Sequence, residues 1–201
     1  MKFIWLQDMG IMSEGGGAQL TDRRHFIEGL RRGHDLQLIT PQSGEIPLDC
    51  DAFIVSNATA FHVDVLRDLA PRSIWFIHDF FPACKYRLFY PMRESCKSCY
   101  LKARWLPILS KAKLIIWLSP LHRESWLWLY PELAAVPYHL SPSPVDSKQF
   151  YDLKMPRQGV VAVQSLAPFK GRENVLRWAR EHPDTPITFI DNPEPDGLPP
   201  N

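Results

Sequence analysis

Short apolar runs alternate with longer amphipathic stretches along this chain, and that alternation limits its fold more than anything else in the sequence. A strand that lies parallel to the next needs a crossover to bring the chain back, and the crossover is usually a helix. The first such unit is the clearest. Lys2 to Leu6 is an apolar run, and Ala18 to Arg32 sets Leu20, Phe26, Ile27 and Leu30 roughly on one helical face. Gly33 follows the basic pair Arg31 and Arg32, as suits a helix C-terminus, where cations meet the negative end of the dipole and glycine accepts a left-handed turn. Asp35 to Thr40 then reads as a second strand and completes a βαβ unit.

The pattern recurs with a strand at Ala52 to Ser56, a helix near Ala60 to Leu69, strands at Ser73 to Ile77 and Leu114 to Leu118, and a helix near Leu121 to Tyr130. Between Phe80 and Lys111 the periodicity is weaker, which predicts an irregular loop leading into a helix near Ser98 to Ser110. The stretch "PYHLSPSPVDSKQF", Pro137 to Phe150, is rich in proline and serine and reads as a linker. A new unit follows, with a strand at Gly159 to Val163, a helix at Gly171 to His182, a strand at Pro186 to Ile190 and a turn or tail beyond. The expected architecture is α/β: a Rossmann-like parallel sheet with helices on both faces over residues 1–145, then a partial second α/β unit over 146–201.

With 45% hydrophobic and 22% charged residues the chain can bury a core, and a formal net charge of +1 makes no electrostatic case for nucleic acid as a partner. The apolar start is far shorter than the roughly 18 residues a spanning helix needs and carries no signal-peptide pattern, so a cytoplasmic location is expected. Of the cysteines, Cys84, Cys96 and Cys99 cluster, while Cys50 reads as an ordinary small apolar residue. The cluster reads either as plain thiols or as three zinc ligands with His78 or His62 as a fourth.

In a parallel sheet, ligands sit beyond the carboxyl ends of the strands, and the loop from Asp8 to Gly17 lies there. Gly15, Gly16 and Gly17 let a phosphate or sugar approach the backbone, and the helix N-terminus that follows favours negative charge; a merely permissive loop is the plainer reading. Neither GxGxxG nor GxxxxGK[ST] occurs, so an ordinary dinucleotide fingerprint and a P-loop are not supported. His78 and Asp79 end an apolar strand, as a site pair or as a structural hydrogen-bonded pair with Asp79 orienting His78 or capping a turn. Trp126, Leu127 and Tyr130 at helical spacing suit a core, whereas "KYRLFYPMRESCKSCYLKARW" mixes basic and aromatic residues, as a solvated face or a membrane-docking one. Asp22 and Glu28 dilute the arginines of the first helix and suggest a solvent-facing surface.

The stretch "GGGAQLTDRRHFIEGLRRGHDLQLITP" resembles the first βαβ unit of retaining glycosyltransferases of family 4, which have the two-domain GT-B fold. "IWFIHDFFPAC" resembles the family's strand ending in His-Asp, "SPSPVDSKQF" its link between domains, and "VVAVQSLAPFKGRENVLRWA" the opening of its second domain. The resemblance implies transfer of a sugar from a nucleotide-sugar to a carbohydrate or lipid-linked acceptor with retention, acceptor mainly against the first domain and donor mainly against the second. No metal is required in most of that family, and peripheral membrane contact goes with lipid-linked acceptors. By position, Gly16 and Gly17 would approach the donor diphosphate or the acceptor, His78 the donor sugar near the reacting centre, and Lys170 the phosphates as the leaving group departs.

Two departures bear on activity. Gln164 and Ser165 stand where the family has Gly-Arg, and a neutral contact in place of a charge-assisted one costs about 1.5 to 3 kcal/mol. The sequence also stops at Asn201, before the family's Glu-rich donor segment. The implied alternatives are a transferase whose donor half comes from a second chain, a fragment of one, or a non-catalytic binding subunit.

Overall fold

The computed structural model describes residues 1–10, 17–80, 82–84, 94–144, 160–163 and 172–190. The chain divides into two compact units, Met1–Val145 and Asp146–Asn201, so the proline- and serine-rich stretch spans the division.

The first unit is a six-stranded, all-parallel sheet of β1 (Lys2–Leu6), β2 (Asp35–Ile39), β3 (Ala52–Ser56), β4 (Ser73–Ile77), β5 (Leu114–Trp117) and β6 (Tyr138–Leu140), ordered β2-β1-β3-β4-β5-β6. Its helices are α1 (Gly17–Arg31), α2 (Val63–Leu69), α3 (Tyr100–Leu109) and α4 (Pro120–Leu129). From β1 the chain winds outward to β2, then returns across residues 40–51, which carry no helix, to begin β3 on the other side of β1. The strand order therefore reverses between β1 and β3.

Alternation along the strands sorts the helices onto two faces, because successive side chains point to opposite sides of a sheet. Ile4, Leu6, Phe53, Val55, Trp75, Ile77, Ile115 and Trp117 point to one face and form a single core with Leu66 of α2, Trp105 of α3 and Trp126 of α4. Trp5, Ser56 and Phe76 point to the other, where α1 lies: Trp5 meets Phe26 at 5.8 Å between ring centroids and His25 meets Phe76 at 5.1 Å. The expected fold class, a Rossmann-like parallel sheet with helices on both faces, is the one observed.

Two details differ from expectation. Leu20, Ile27 and Leu30, read as the buried face of the first helix, are each about half exposed, at 52%, 48% and 48%. Of the expected face Phe26 does pack inward, joined by Thr21, Asp22, His25 and Gly29, and Asp22 is fully buried where a solvent-facing position was expected. Those five residues span a single helical stripe at the same 3.6-residue period, so burial here follows what the sheet offers rather than hydrophobicity alone. The second detail is β6, a strand inside the stretch read as linker, held by Ile115 N–H to Pro137 O (2.9 Å) and Ser141 N–H to Trp117 O (2.8 Å). A three-residue strand between Pro137 and Pro142 is too short a run to carry a period.

The end of α1 was legible. His34 N–H bonds Gly29 O and Gly33 N–H bonds Leu30 O, a paired C-terminal closure with Gly33 at φ 79°. Gly33→Ala should lose about 1 kcal/mol of stability through left-handed strain alone, since nothing lies within 4 Å of the added Cβ. Urea unfolding reads it, and an unchanged midpoint would refute it.

The second unit contains β7 (Val160–Val163), α5 (Arg172–Glu181) and β8 (Ile187–Ile190), with β7 and β8 parallel and Ala179 and Ile187 buried between helix and strand.

Candidate functional site

Where strand order reverses, neighbouring loops leave in opposite directions and open a crevice at the carboxyl ends of the strands. Here that crevice lies at the ends of β1, β3 and β4. Asp8, two residues past β1, accepts hydrogen bonds from Thr59 N (2.8 Å), Thr59 Oγ1 (2.7 Å) and Ala60 N (2.8 Å), and its own N–H donates to Asn57 O (3.0 Å). One carboxylate thus ties the end of β1 to the loop after β3. Asn57 sits at φ 48°, a left-handed conformation that asparagine tolerates better than most residues, and its Nδ2 is buried with no hydrogen-bond partner among the described residues. The cleft beside it, about 400 Å³ of space open to solvent, is lined by Asp8, Asn57, Thr59, His78, Asp79 and Pro82 among others. No lysine or arginine is among the described residues lining it.

His78 also belongs to a buried polar network. Parity along β4 sends Trp75 and Ile77 to the core, so Phe76 and His78 project toward α1. There Asp22, wholly buried, accepts from His78 Nε2 at 2.7 Å on Oδ1, and from Gln7 Nε2 at 2.7 Å and Ser56 Oγ at 2.5 Å on Oδ2. Gln7 follows β1, Ser56 ends β3 and His78 follows β4, so one aspartate on α1 gathers the ends of three strands. The His78 ring is 4% exposed and stacks on Phe76, with centroids 6.1 Å apart and planes 22° apart; Phe76 in turn stacks on Trp5 at 5.9 Å. Gln7 is itself fully buried, and its Oε1 has no partner among the described residues.

Asp79 lines the cleft and faces His122 on α4. Burial pushes the His122 imidazole down to about 4, against the pull of the Asp79 carboxylate and a backbone hydrogen bond at Asp79. His122 Nε2 accepts from the Trp126 indole N–H at 3.2 Å.

Of the residues expected at the site, His78 and Asp79 are brought to the cleft together. His78 Nε2 pairs with Asp22, across 56 positions that no local motif announces. Gly17 opens α1 with nothing within 4 Å of a Cβ placed on it. Gly15, Gly16, Ser165 and Lys170 lie outside the described residues. Cys84, Cys96 and Cys99 are reduced and half-buried, the last two packed against the core. Among the described residues no three His, Cys, Asp or Glu side chains come together as a metal site, and His62 is the N-cap of α2, its ring accepting from Asp64 N–H. No described helix is long and apolar enough to cross a membrane.

Gln7, Asp22, Ser56 and Asn57 were not singled out from the sequence. A signal for Asp22 existed: with His25, Phe26 and Gly29 it keeps i, i+3, i+4, i+7 spacing. No protein-family model matches the sequence, and no curated protein matches it.

Proposed function

We propose that this chain takes part in sugar transfer from a nucleotide-sugar to a hydroxylated acceptor with retention at the anomeric carbon, in the cytoplasm and without a metal. In that reaction the bond from the anomeric carbon to the diphosphate oxygen breaks and one to the acceptor oxygen forms. The acceptor's proton leaves with the nucleoside diphosphate. The observation that carries the reading is the cleft at the reversal of strand order, where His78, Asp8, Asn57, Thr59 and Asp79 line it beside apolar residues such as Trp75. Such a set of carboxylates, an amide and a hydroxyl suits the hydroxyls of a sugar better than a phosphate, which needs cations or clustered backbone N–H groups. The phosphate-binding candidates in this reading are Gly15, Gly16 and Gly17 in the first unit and, separately, Ser165 and Lys170 in the second. A carbohydrate acceptor suits the cleft directly, and a lipid-linked one would add peripheral membrane contact.

The test is nucleotide release from UDP- and GDP-hexoses by the 201-residue chain with a panel of hydroxylated acceptors, beside calorimetric titration of the same donors. Turnover with one donor, lowered roughly 100-fold by His78→Ala, is expected. Absence of both nucleotide release and donor binding would refute the reading, and binding without release would make the chain a non-catalytic binding subunit.

A further inference from the structure

We propose that Asp22 is a positioning residue that fixes the tautomer of His78, and that His78 consequently recognises a hydroxyl group as a hydrogen-bond acceptor. The proposal rests on the transfer reading only for the molecule that owns the hydroxyl.

A carboxylate oxygen accepts and does not donate, so the 2.7 Å contact places the proton of a neutral His78 on Nε2. Its Nδ1 then carries a lone pair. None of the hydrogen bonds among the described residues engages that nitrogen, and His78 lines the cleft. The ring has little freedom to change this: Phe76 stacks on its plane and Asp22 anchors its far nitrogen. A ligand group that meets Nδ1 must bring a hydrogen, which a sugar hydroxyl does and a phosphate or carboxylate oxygen does not.

A purely structural role accounts poorly for the arrangement. A buried carboxylate is costly, and an apolar side chain at a buried helix position is usually as stable or more so. Yet α1 devotes its inward stripe to Asp22 while Leu20, Ile27 and Leu30 face outward. Departures of this kind, in which a chain breaks the burial pattern at one point, concentrate where a function requires the group.

The network also fixes what Asp22→Asn should do. Gln7 Nε2 and Ser56 Oγ both donate to Oδ2, so the single oxygen of asparagine is held on that side and its NH2 group faces His78 Nε2. The imidazole must then accept at Nε2 and carry its proton on Nδ1, presenting a donor where an acceptor stood.

The experiment is long-range 1H–15N NMR of the histidine rings in the unaltered chain and in Asp22→Asn, with donor kinetics on both. The unaltered chain should show His78 protonated at Nε2 and unprotonated at Nδ1. Asp22→Asn should invert this and lower kcat/KM about 10- to 100-fold, whereas Ser56→Ala, which keeps the carboxylate, should leave the tautomer as it was. A proton on Nδ1 in the unaltered chain overturns the proposal without any variant having to fold. So does an Asp22→Asn chain whose tautomer and kinetics are unchanged. The spectra need no substrate, so a chain that turns over no nucleotide-sugar would sink the transfer reading while the tautomer still decides this inference.

Discussion

Trp126→Ala should cost about 3 to 5 kcal/mol of stability, enough to leave a chain of ordinary stability partly unfolded at room temperature. Trp126 has no exposed surface, and its ring meets Trp117 at 5.7 Å, Phe80 at 5.9 Å and Tyr130 at 5.3 Å. Truncation to alanine removes the transfer free energy of the indole and opens a cavity that three other rings cannot readily fill. It also strips His122 Nε2 of its donor, leaving a buried acceptor unsatisfied. Equilibrium urea unfolding measures the effect, and a loss under about 1 kcal/mol would mean that the cluster collapses around the gap. The same substitution should loosen the chain just after β4, because Phe80 lies one residue beyond Asp79 and packs flat on Trp126.

Why the alternation of elements could be read while much of the site could not follows from the range of the forces involved. The sequence pattern needs only neighbours: Lys2 to Leu6, the end of α1 at Gly33 and the core positions of Trp126 and Tyr130 are each decided by spacing within a few turns or strands. The units also part within the stretch of proline and serine, where local composition changes. Asp22 is different. Its burial depends on Gln7, Ser56 and His78, which reach it from three strands that only the sheet brings side by side. A count of charges along α1 places it outside, because the carboxylate looks like a partner for Arg23 or Arg24. In the fold Arg24 instead bonds the carbonyl of Pro144, and Glu28 pairs with Arg31 and Arg32.

The error over Leu20, Ile27 and Leu30 has the same origin. Apolar residues at helical spacing mark a candidate inner face, but a helix lying over strand ends that carry a glutamine, a serine and a histidine can turn polar residues inward instead. The 3.6 period was present in both stripes. Only the identity of the facing sheet selects between them, and that identity is set by the parity of β1, β3 and β4. His78 was legible because the apolar run of β4 marks where the strand stops, and the first residues past a parallel strand face the crevice.

The second large effect is acid destabilisation through His122. Its ring, wedged among Phe80, Trp117 and Trp126, has a folded-state value of about 4 against 6.5 for an ordinary histidine, with burial the chief cause. Asp79 opposes the shift but does not cancel the cost of burying the ring's charge. Because the folded state binds the proton less readily than the unfolded chain, stability is complete above pH 6.5 and falls as pH drops from 6.5 through 4. The full shift corresponds to about 3 kcal/mol, and partial solvent access brings the expected loss nearer to about 2 kcal/mol. Protonation would also place an N–H on Nε2 against the Trp126 N–H, turning an attractive contact into a repulsive one. Carboxylates titrate in the lower part of this window, so the comparison must be with His122→Asn, which keeps an acceptor but no titratable ring. Urea midpoints across the range should show the unaltered chain losing more stability than the variant between neutral pH and about pH 4.5. Parallel curves for the two would mean that the ring reaches water readily when it is protonated, and that the aromatic cluster around Trp126 opens under far milder stress than its burial implies.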